Sequence, residues 1–217
     1  MTNYTENAKW FYKPVEIADL EKIQQELMPV LREKVPDIDS KIIFGGYKHV
    51  TKNELILFAP TLIEVVKKLG VFDRLSYATF VIAANKRISN KIPFNIHIDH
   101  YDWRIISYAL NIPILNCENT YTVWYDTELD TDIEGYIKVN TGISPEAWSD
   151  ENLSIDKIAS PIIQKKGTVA TEIARLHSIN PAWVNISIPH APINTTNEPR
   201  VLISLRFSPE LHDILHT

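Results

Sequence analysis

The spacing of apolar residues changes along the chain. In the N-terminal third it predicts two helices, the first of which follows Asp19, a candidate N-cap, and meets Pro29, where a kink or an end is expected. The second is expected to begin near Pro60 and to end at Gly70, a residue suited to a C-cap. Each helix has one apolar face and is expected to support a sheet. The apolar positions are Leu20, Ile23, Leu27, Val30 and Leu31 in the first helix and Leu62, Ile63, Val65, Val66 and Leu69 in the second.

From about Leu75 onward the chain consists mainly of short β-rich segments separated by turn-prone residues. An additional edge strand is predicted in WFYKPVEI, where Pro14 cannot donate a hydrogen bond to a neighbouring strand. Two helices followed by six or seven short strands predict a mainly β fold, an antiparallel sandwich or barrel with helices on one outer face. The predicted strands lie in LSYATFVIAA, FNIHIDHY, RIISYALNIPIL, YTVWYD, TVATEIARL, AWVNISI and RVLISLRF.

Composition narrows the class of protein. With 217 residues, 45% hydrophobic and 23% charged, the chain has the balance of a soluble globular protein, and we expect one domain. A formal net charge of -5 without a Lys/Arg run disfavours nucleic acid as a partner. Cys117 is the only cysteine, which excludes an intrachain disulfide. The chain has no signal-like N-terminus and no apolar run long enough to cross a membrane, so we expect a cytoplasmic protein with no membrane partner. The sequence does not predict the oligomeric state.

The segment FNIHIDHY, residues 94–101, carries candidate chemistry. In an extended strand, His97 and Asp99 share one face, and His100 lies with the apolar residues on the other. An imidazole and a carboxylate on one face can converge on a metal ion. H-x-D by itself favours a simpler interpretation, in which the two residues form the polar face of an exposed edge strand or a hydrogen bond that only orients the imidazole. A metal site therefore requires a third ligand from elsewhere.

The C-terminal segment offers that ligand. His190 follows the strand-like AWVNISIP, and a polar connection leads to Arg200, ten residues later, so we expect a hairpin. In the return strand, Arg200, Leu202, Ser204 and Arg206 share one face. An inward-facing arginine is costly without an anion, which indicates a clamp for a carboxylate or phosphate. The alternatives are a surface arginine, or a structural pair with Glu172 or Asp99.

Together, H-x-D, a distal histidine and an arginine ten residues after it resemble the pattern of the iron(II)- and 2-oxoglutarate-dependent oxygenases. Over residues 76–207, HIDHYDWRIISYALNIPI and PHAPINTTNEPRVLISLRF are similar to segments of the aspartyl/asparaginyl β-hydroxylase and prolyl hydroxylase branch. The resemblance implies a double-stranded β-helix, a jelly-roll or cupin-like barrel, with supporting N-terminal α-helices. It implies one oxygenase domain over 1–217, made of a helical support region at 1–75 and a β-helix core at 76–207. An insertion at 127–167 is expected to act as a lid.

Carried over residue by residue, the resemblance implies that His97, Asp99 and His190 are the metal ligands. Arg200 would bind the distal carboxylate of 2-oxoglutarate. Tyr108, Asn111 and Arg206 are further candidates for contacts to the cosubstrate. Tyr108 and Asn111 lie on opposite strand faces, and parity with Arg104 favours Tyr108. Arg206 could equally form a salt bridge.

The resemblance implies an oxygenase that uses Fe(II), 2-oxoglutarate and O₂ and releases succinate and CO₂. The first hypothesis is a hydroxylase of a small-molecule or peptidyl substrate, acting on an amino acid or on a proline, aspartate or asparagine side chain. The second is a nucleic-acid demethylase of the same superfamily, suggested by two arginines six residues apart. The third is a metal-free β-barrel binding module without chemistry.

Overall fold

A computed structural model of the chain describes residues 10–40, 46–84, 96–99, 108–129 and 162–207. The helices are α1 (Leu20–Lys34), α2 (Lys52–Phe58) and α3 (Pro60–Lys68), and a 3₁₀ turn spans Phe72–Arg74. The strands are β1 (Tyr12–Pro14), β2 (Gly46–Thr51), β3 (Leu75–Ala83), β4 (His97–Ile98), β5 (Tyr108–Leu115), β6 (Thr120–Asp126), β7 (Ile162–Ile163), β8 (Thr171–His177), β9 (Ala182–Asn185), β10 (His190–Asn194) and β11 (Arg200–Phe207).

The strands form two antiparallel sheets. One has the order β1-β9-β5-β11-β3-β2 and the other the order β7-β4-β10-β6-β8. Along the chain, β3, β5, β9 and β11 belong to the first sheet, and β4, β6, β8 and β10 belong to the second. The fold is therefore mainly β, a sandwich of cupin-like form, and pairing between strands distant in sequence holds each sheet together.

The helices cover the outer face of the six-stranded sheet. Ile23, Leu27 and Leu31 of α1 are fully buried in one apolar cluster with residues of β3, β5 and β11. Such burial is the main source of stability for short amphipathic helices. The predicted support role of both helices is confirmed. In the described part of the chain, no helix is long and apolar enough to span a membrane.

Two details of the helix prediction are corrected. Of the two outcomes expected at Pro29, an end is excluded: the first helix continues to Lys34, and Val30 and Leu31 beyond the proline are buried in the core. Asp19 precedes the helix but forms no side-chain cap. By contrast, Pro60 begins α3 and Gly70 adopts a φ of +72° just after it, as expected.

The N-terminal region contributes two strands to the six-stranded sheet as well as helices. The predicted edge strand is β1, which lies at the edge of the six-stranded sheet, and β2 and α2 were not predicted. Thr51 ends β2 and caps α2 in a capping box with Glu54, so strand and helix are joined without a loop. Strand β2 thus brings residues from the helical region alongside β3.

The prediction that the strands carrying His190 and Arg200 form a hairpin is wrong. Strand β10 pairs with β4 and β6, whereas β11 pairs with β3 and β5, so the connection crosses from one sheet to the other. The side chain of Asn194 stabilises this crossing: its Nδ2 donates to the carbonyl of Ala83 at 3.3 Å and to that of Glu198 at 2.8 Å. Because the connection crosses between the sheets, the polar faces of β10 and β11 oppose each other across the sandwich.

The predicted faces of β11 are confirmed. Val201, Ile203 and Leu205 are buried in the cluster that contacts the helices, and Arg200, Leu202, Ser204 and Arg206 line a cavity between the sheets. Several expectations fall outside the described residues: the face of His100, the parity with Arg104, and the lid over most of 127–167. These remain predictions.

Candidate metal centre

Two histidines distant in sequence meet where β4 pairs with β10. His97 and His190 are direct partners in the antiparallel register, and their ring centroids lie 4.8 Å apart. Asp99 follows β4, and its backbone N–H donates to the carbonyl of Ile186 at 3.0 Å. Pairing of the strands and this hydrogen bond bring the three side chains to one point.

One ligand atom from each of the three residues lies within 4.8 Å of the others. Nε2 of His97 is 3.1 Å from Oδ1 of Asp99, and Nε2 of His190 is 3.8 Å from Oδ2. Nδ1 of His190 donates to the carbonyl of Ile188 at 2.8 Å, which leaves the Nε2 lone pair facing the carboxylate. Two imidazoles and one carboxylate in this arrangement form a donor set for a divalent transition metal.

Asp99 is paired with a buried cation. Nη2 of Arg206 lies 2.7 Å from Oδ2 of Asp99, and the two side chains are only 12% and 10% exposed. Burial acts to raise the pKa of Asp99, but the Arg206 guanidinium and the two imidazoles hold it well below its usual range. The carboxyl group is therefore ionised and able to act as a metal ligand.

The imidazole of His190 is neutral near neutral pH. Burial lowers its pKa to about 4, against the opposing attraction of the Asp99 carboxylate. A neutral imidazole has a lone pair available on Nε2, which is the form that binds a metal.

Arg200 is buried, and no anionic side chain among the described residues binds it. The residue is 1% exposed. Its Nη1 donates to Oγ of Ser178 at 3.0 Å, and its Nε has no hydrogen-bond partner among the described residues. Burial lowers the pKa of its guanidinium. The alternative partners are already engaged, because Glu172 binds Arg175 and Asp99 binds Arg206. A buried cation with an unused donor is a suitable site for an anionic ligand.

The triad and both arginines line one cavity between the sheets. Arg206 and Arg200 lie at opposite ends of β11, the first beside the triad and the second at the far end. The polar wall of this cavity consists of Tyr47, His97, Asp99, Asn111, Thr122, Asn185, His190, Arg200, Ser204 and Arg206.

The structure separates the two candidates on β5. Asn111 lines the cavity and accepts a hydrogen bond from Oγ of Ser204 at 2.6 Å. Tyr108 is on the opposite face, in the helix-side core, where its ring stacks on Trp10 at a centroid distance of 4.5 Å. The preference for Tyr108 over Asn111 was based on parity with a residue outside the described part of the chain, and the sheet reverses it.

Two residues of the site had no signal in the sequence. Tyr47 lines the cavity from β2, and its hydroxyl lies 3.3 Å from Nε2 of His97, although β2 was not predicted as a strand. Ser178 contacts Arg200 from the turn after β8. Trp124 is fully buried and also forms part of the cavity wall, and its Nε1 donates to the carbonyl of Asn185 at 2.8 Å.

No protein-family model matches the chain, and no curated protein matches its sequence. Among solved structures, it is similar to HygX from Streptomyces hygroscopicus, determined with nickel and 2-oxoglutarate bound, at 11% identity and a TM-score of 0.40 over 89% of this chain and 80% of that one. AviO1 from Streptomyces viridochromogenes Tue57 matches at 9% identity and a TM-score of 0.38, covering 91% and 89% of the two chains. The non-heme alpha-ketoglutarate-dependent epimerase SnoN from nogalamycin biosynthesis matches at 13% identity and a TM-score of 0.37, covering 87% and 82%. Similarity at this level assigns neither a ligand nor a reaction to this chain.

The geometry of the site is more specific than the similarity to these structures. The triad of His97, Asp99 and His190 resembles the iron(II) site of 2-oxoglutarate-dependent oxygenases in its donor types and in their convergence on one point.

Proposed function

We propose that this chain is an iron(II)- and 2-oxoglutarate-dependent oxygenase. The observation that carries the proposal is the presence, in one cavity, of a 2-His-1-carboxylate triad and a buried arginine whose Nε lacks a partner among the described residues. A metal-binding barrel needs only the triad. The unmatched cation favours a ligand that brings a carboxylate to the far end of the cavity, and 2-oxoglutarate has its second carboxylate at the end opposite to its chelating group.

The residues of the cavity fit iron(II) and 2-oxoglutarate. Two imidazole nitrogens and one carboxylate would hold the metal and leave other coordination positions for a 2-oxoacid and O₂. When bound, iron(II) with 2-oxoglutarate and O₂ supplies an oxidant that removes hydrogen from a substrate C–H bond, with release of succinate and CO₂. His97, Asp99 and His190 hold the metal, Arg206 keeps Asp99 ionised and oriented, and Arg200 binds the distal carboxylate.

The strand order supports the finer fold assignment. Eight strands, β3–β6 and β8–β11, supply both sheets in the orders β9-β5-β11-β3 and β4-β10-β6-β8. This regular exchange of strands between two facing sheets favours a double-stranded β-helix as the description of the core.

For the substrate, we propose an amino acid or a peptidyl side chain of the proline, aspartate or asparagine type. The resemblance of the segments around His97 and His190 supports this class, and the net charge of -5 supports it over a polyanion. A nucleic-acid demethylase is the second candidate, favoured by the six-residue spacing of Arg200 and Arg206. The ion pair of Arg206 with Asp99 gives the second arginine a role that needs no polyanionic substrate.

The test is joint stabilisation followed by turnover. Iron(II) and 2-oxoglutarate together should raise the melting temperature of the protein more than either alone, since each binds the folded state. A metal-free binding module would show no shift. Succinate release should then be measured over free amino acids, short peptides and methylated oligonucleotides, and the pool that increases it identifies the substrate class. Stimulation by oligonucleotides alone would contradict the proposed class.

A further inference from the structure

Tyr47 lies next to the metal-binding atoms. Its hydroxyl oxygen is 3.3 Å from Nε2 of His97, the same nitrogen that lies 3.1 Å from Oδ1 of Asp99. The residue lines the cavity from β2, where it is paired in register with Val81, another residue of the cavity wall. The phenol thus enters the site from a strand that carries no metal ligand.

The contact between Tyr47 and His97 cannot persist as a hydrogen bond once a metal is bound. A metal takes the lone pair of the ligating imidazole nitrogen, so Nε2 of His97 can then neither accept from the phenol nor donate to it. The hydroxyl remains beside that nitrogen, and the groups that arrive with the metal are those on its open positions. A phenol O–H donates well to an oxygen anion.

The other groups of the cavity wall indicate which anion this is. Arg200 and Arg206 line the same cavity as Tyr47. Arg200 is left for the distal carboxylate, and Arg206 is occupied by Asp99. The end of the ligand that chelates the metal therefore has Tyr47 as its adjacent donor on the β2 side.

On the basis of the proposed function, we infer that Tyr47 is a ligand-binding residue that donates a hydrogen bond to the chelating, 1-carboxylate end of a 2-oxoacid. This assigns opposite ends of the cosubstrate to different parts of the chain. Arg200 at the start of β11 recognises the second carboxylate, and Tyr47 on β2 recognises the group common to all 2-oxoacids.

The experiment compares two 2-oxoacids on three proteins. Anaerobic iron(II) protein is titrated with 2-oxoglutarate and with 2-oxobutyrate, which lacks the second carboxylate, and binding is followed by the metal-to-ligand charge-transfer absorbance. Tyr47→Phe should weaken both ligands by about tenfold or more, the loss expected for one hydrogen bond to a charged group. Arg200→Ala should weaken 2-oxoglutarate but leave 2-oxobutyrate unchanged. Tyr125→Phe is the matched control, because it removes a phenol hydroxyl from β6 without touching the cavity wall.

Iron binding, measured separately, shows whether the site itself is intact. Tyr47→Phe should bind iron(II) as the unmodified protein does, and a marked loss of iron would mean that Tyr47 acts on His97 and not on the ligand. Weakening of 2-oxoglutarate alone would place Tyr47 at the distal end and overturn the inference, as would unchanged binding of both acids. If the unmodified protein gives no absorbance band with either acid, the proposed function fails and this inference fails with it. A normal band with no effect of Tyr47→Phe overturns the inference alone.

Discussion

Nη2 of Arg206 lies 2.7 Å from Oδ2 of Asp99, in a cavity where that carboxylate is also 3.1 Å from Nε2 of His97 through its other oxygen. One carboxylate oxygen is thus held by a cation of the chain, and the other faces the imidazole. The pair keeps Asp99 ionised in a buried site and fixes its orientation before any metal arrives.

This pair predicts that metal and arginine partly substitute for each other. Arg206→Ala leaves Asp99 buried without its cation, so the free energy of unfolding of the metal-free protein should fall by roughly 3–5 kcal/mol. Manganese(II), a redox-stable substitute for iron, should restore part of the loss because it brings positive charge to the same carboxylate. Chemical denaturation with and without the metal measures both effects. A loss that is identical in the two conditions would show that Arg206 does not act through Asp99.

The three ligands should be individually required for tight metal binding. His97→Ala, Asp99→Ala and His190→Ala each remove one of three converging donor atoms, and we expect each variant to lose stoichiometric iron(II) binding by titration. His177→Ala is a control, because that imidazole accepts from the backbone N–H of Asn119 at 3.2 Å, outside the cavity wall. Strand alternation predicts that His100→Ala also keeps the metal. Loss of iron in the His100 variant to the same degree as in the His97 variant would refute the assigned ligand set.

Arg200 should separate cosubstrate binding from metal binding. Arg200→Ala removes a charge-assisted contact worth roughly 1.5–3 kcal/mol, so the affinity for 2-oxoglutarate should fall about ten- to a hundredfold. Iron(II) should bind almost as before. Arg200→Lys should recover only part of the loss, since an ammonium keeps the charge but not the planar fork. The charge-transfer absorbance of the iron(II) protein gives the binding curve, and an unchanged curve for Arg200→Ala would remove the cosubstrate assignment.

A pH-dependent prediction concerns the junction that holds β2, and with it Tyr47. Nζ of Lys34 lies 2.7 Å from Glu54, and the backbone N–H of Thr51 donates to the same carboxylate at 2.6 Å. Burial acts to raise the pKa of Glu54, but the contacts with Lys34 and Thr51 together outweigh it and lower this pKa from 4.5 to about 2. A lowered folded-state pKa means that the contribution of Glu54 to stability is complete above 4.5 and is lost as the pH falls through about 2.

Glu54→Gln should therefore lower the stability of the protein at neutral pH, and the difference from the unmodified protein should narrow as the solution is made more acidic than the ordinary glutamate pKa. Denaturation curves at several pH values measure it. Glu64→Gln is the matched control, because the pair of Glu64 with Lys67, at 2.8 Å, is exposed to solvent. A difference that stays constant over this pH range would mean that the carboxylate charge of Glu54 is not what stabilises the junction.

Much of the fold follows from local patterns. Helical spacing identified α1 and α3, since their apolar faces must be buried somewhere, and Pro60 and Gly70 mark the two ends of α3. Alternation assigned the faces of β11 correctly, because successive side chains of a strand point to opposite sides whatever the strand packs against. The same rule placed His97 and Asp99 together. Helix α2 was missed because its apolar residues, Leu55–Phe58, are consecutive and show no helical period. Strand β2, GYKHVT, was missed because it has few apolar residues.

The partners of the site residues were decided by tertiary structure alone. The sequence identified His97, Asp99, His190 and two inward arginines, but not which arginine binds Asp99. That depends on β10 and β11 lying in different sheets, so that Arg206 faces the triad and Arg200 the far end of the cavity. Tyr47 reaches His97 from 50 residues away, through the pairing of β2 with β3. Local periodicity determines which side of a strand a residue occupies, whereas contacts across a sandwich depend on which distant strands pair and in what register.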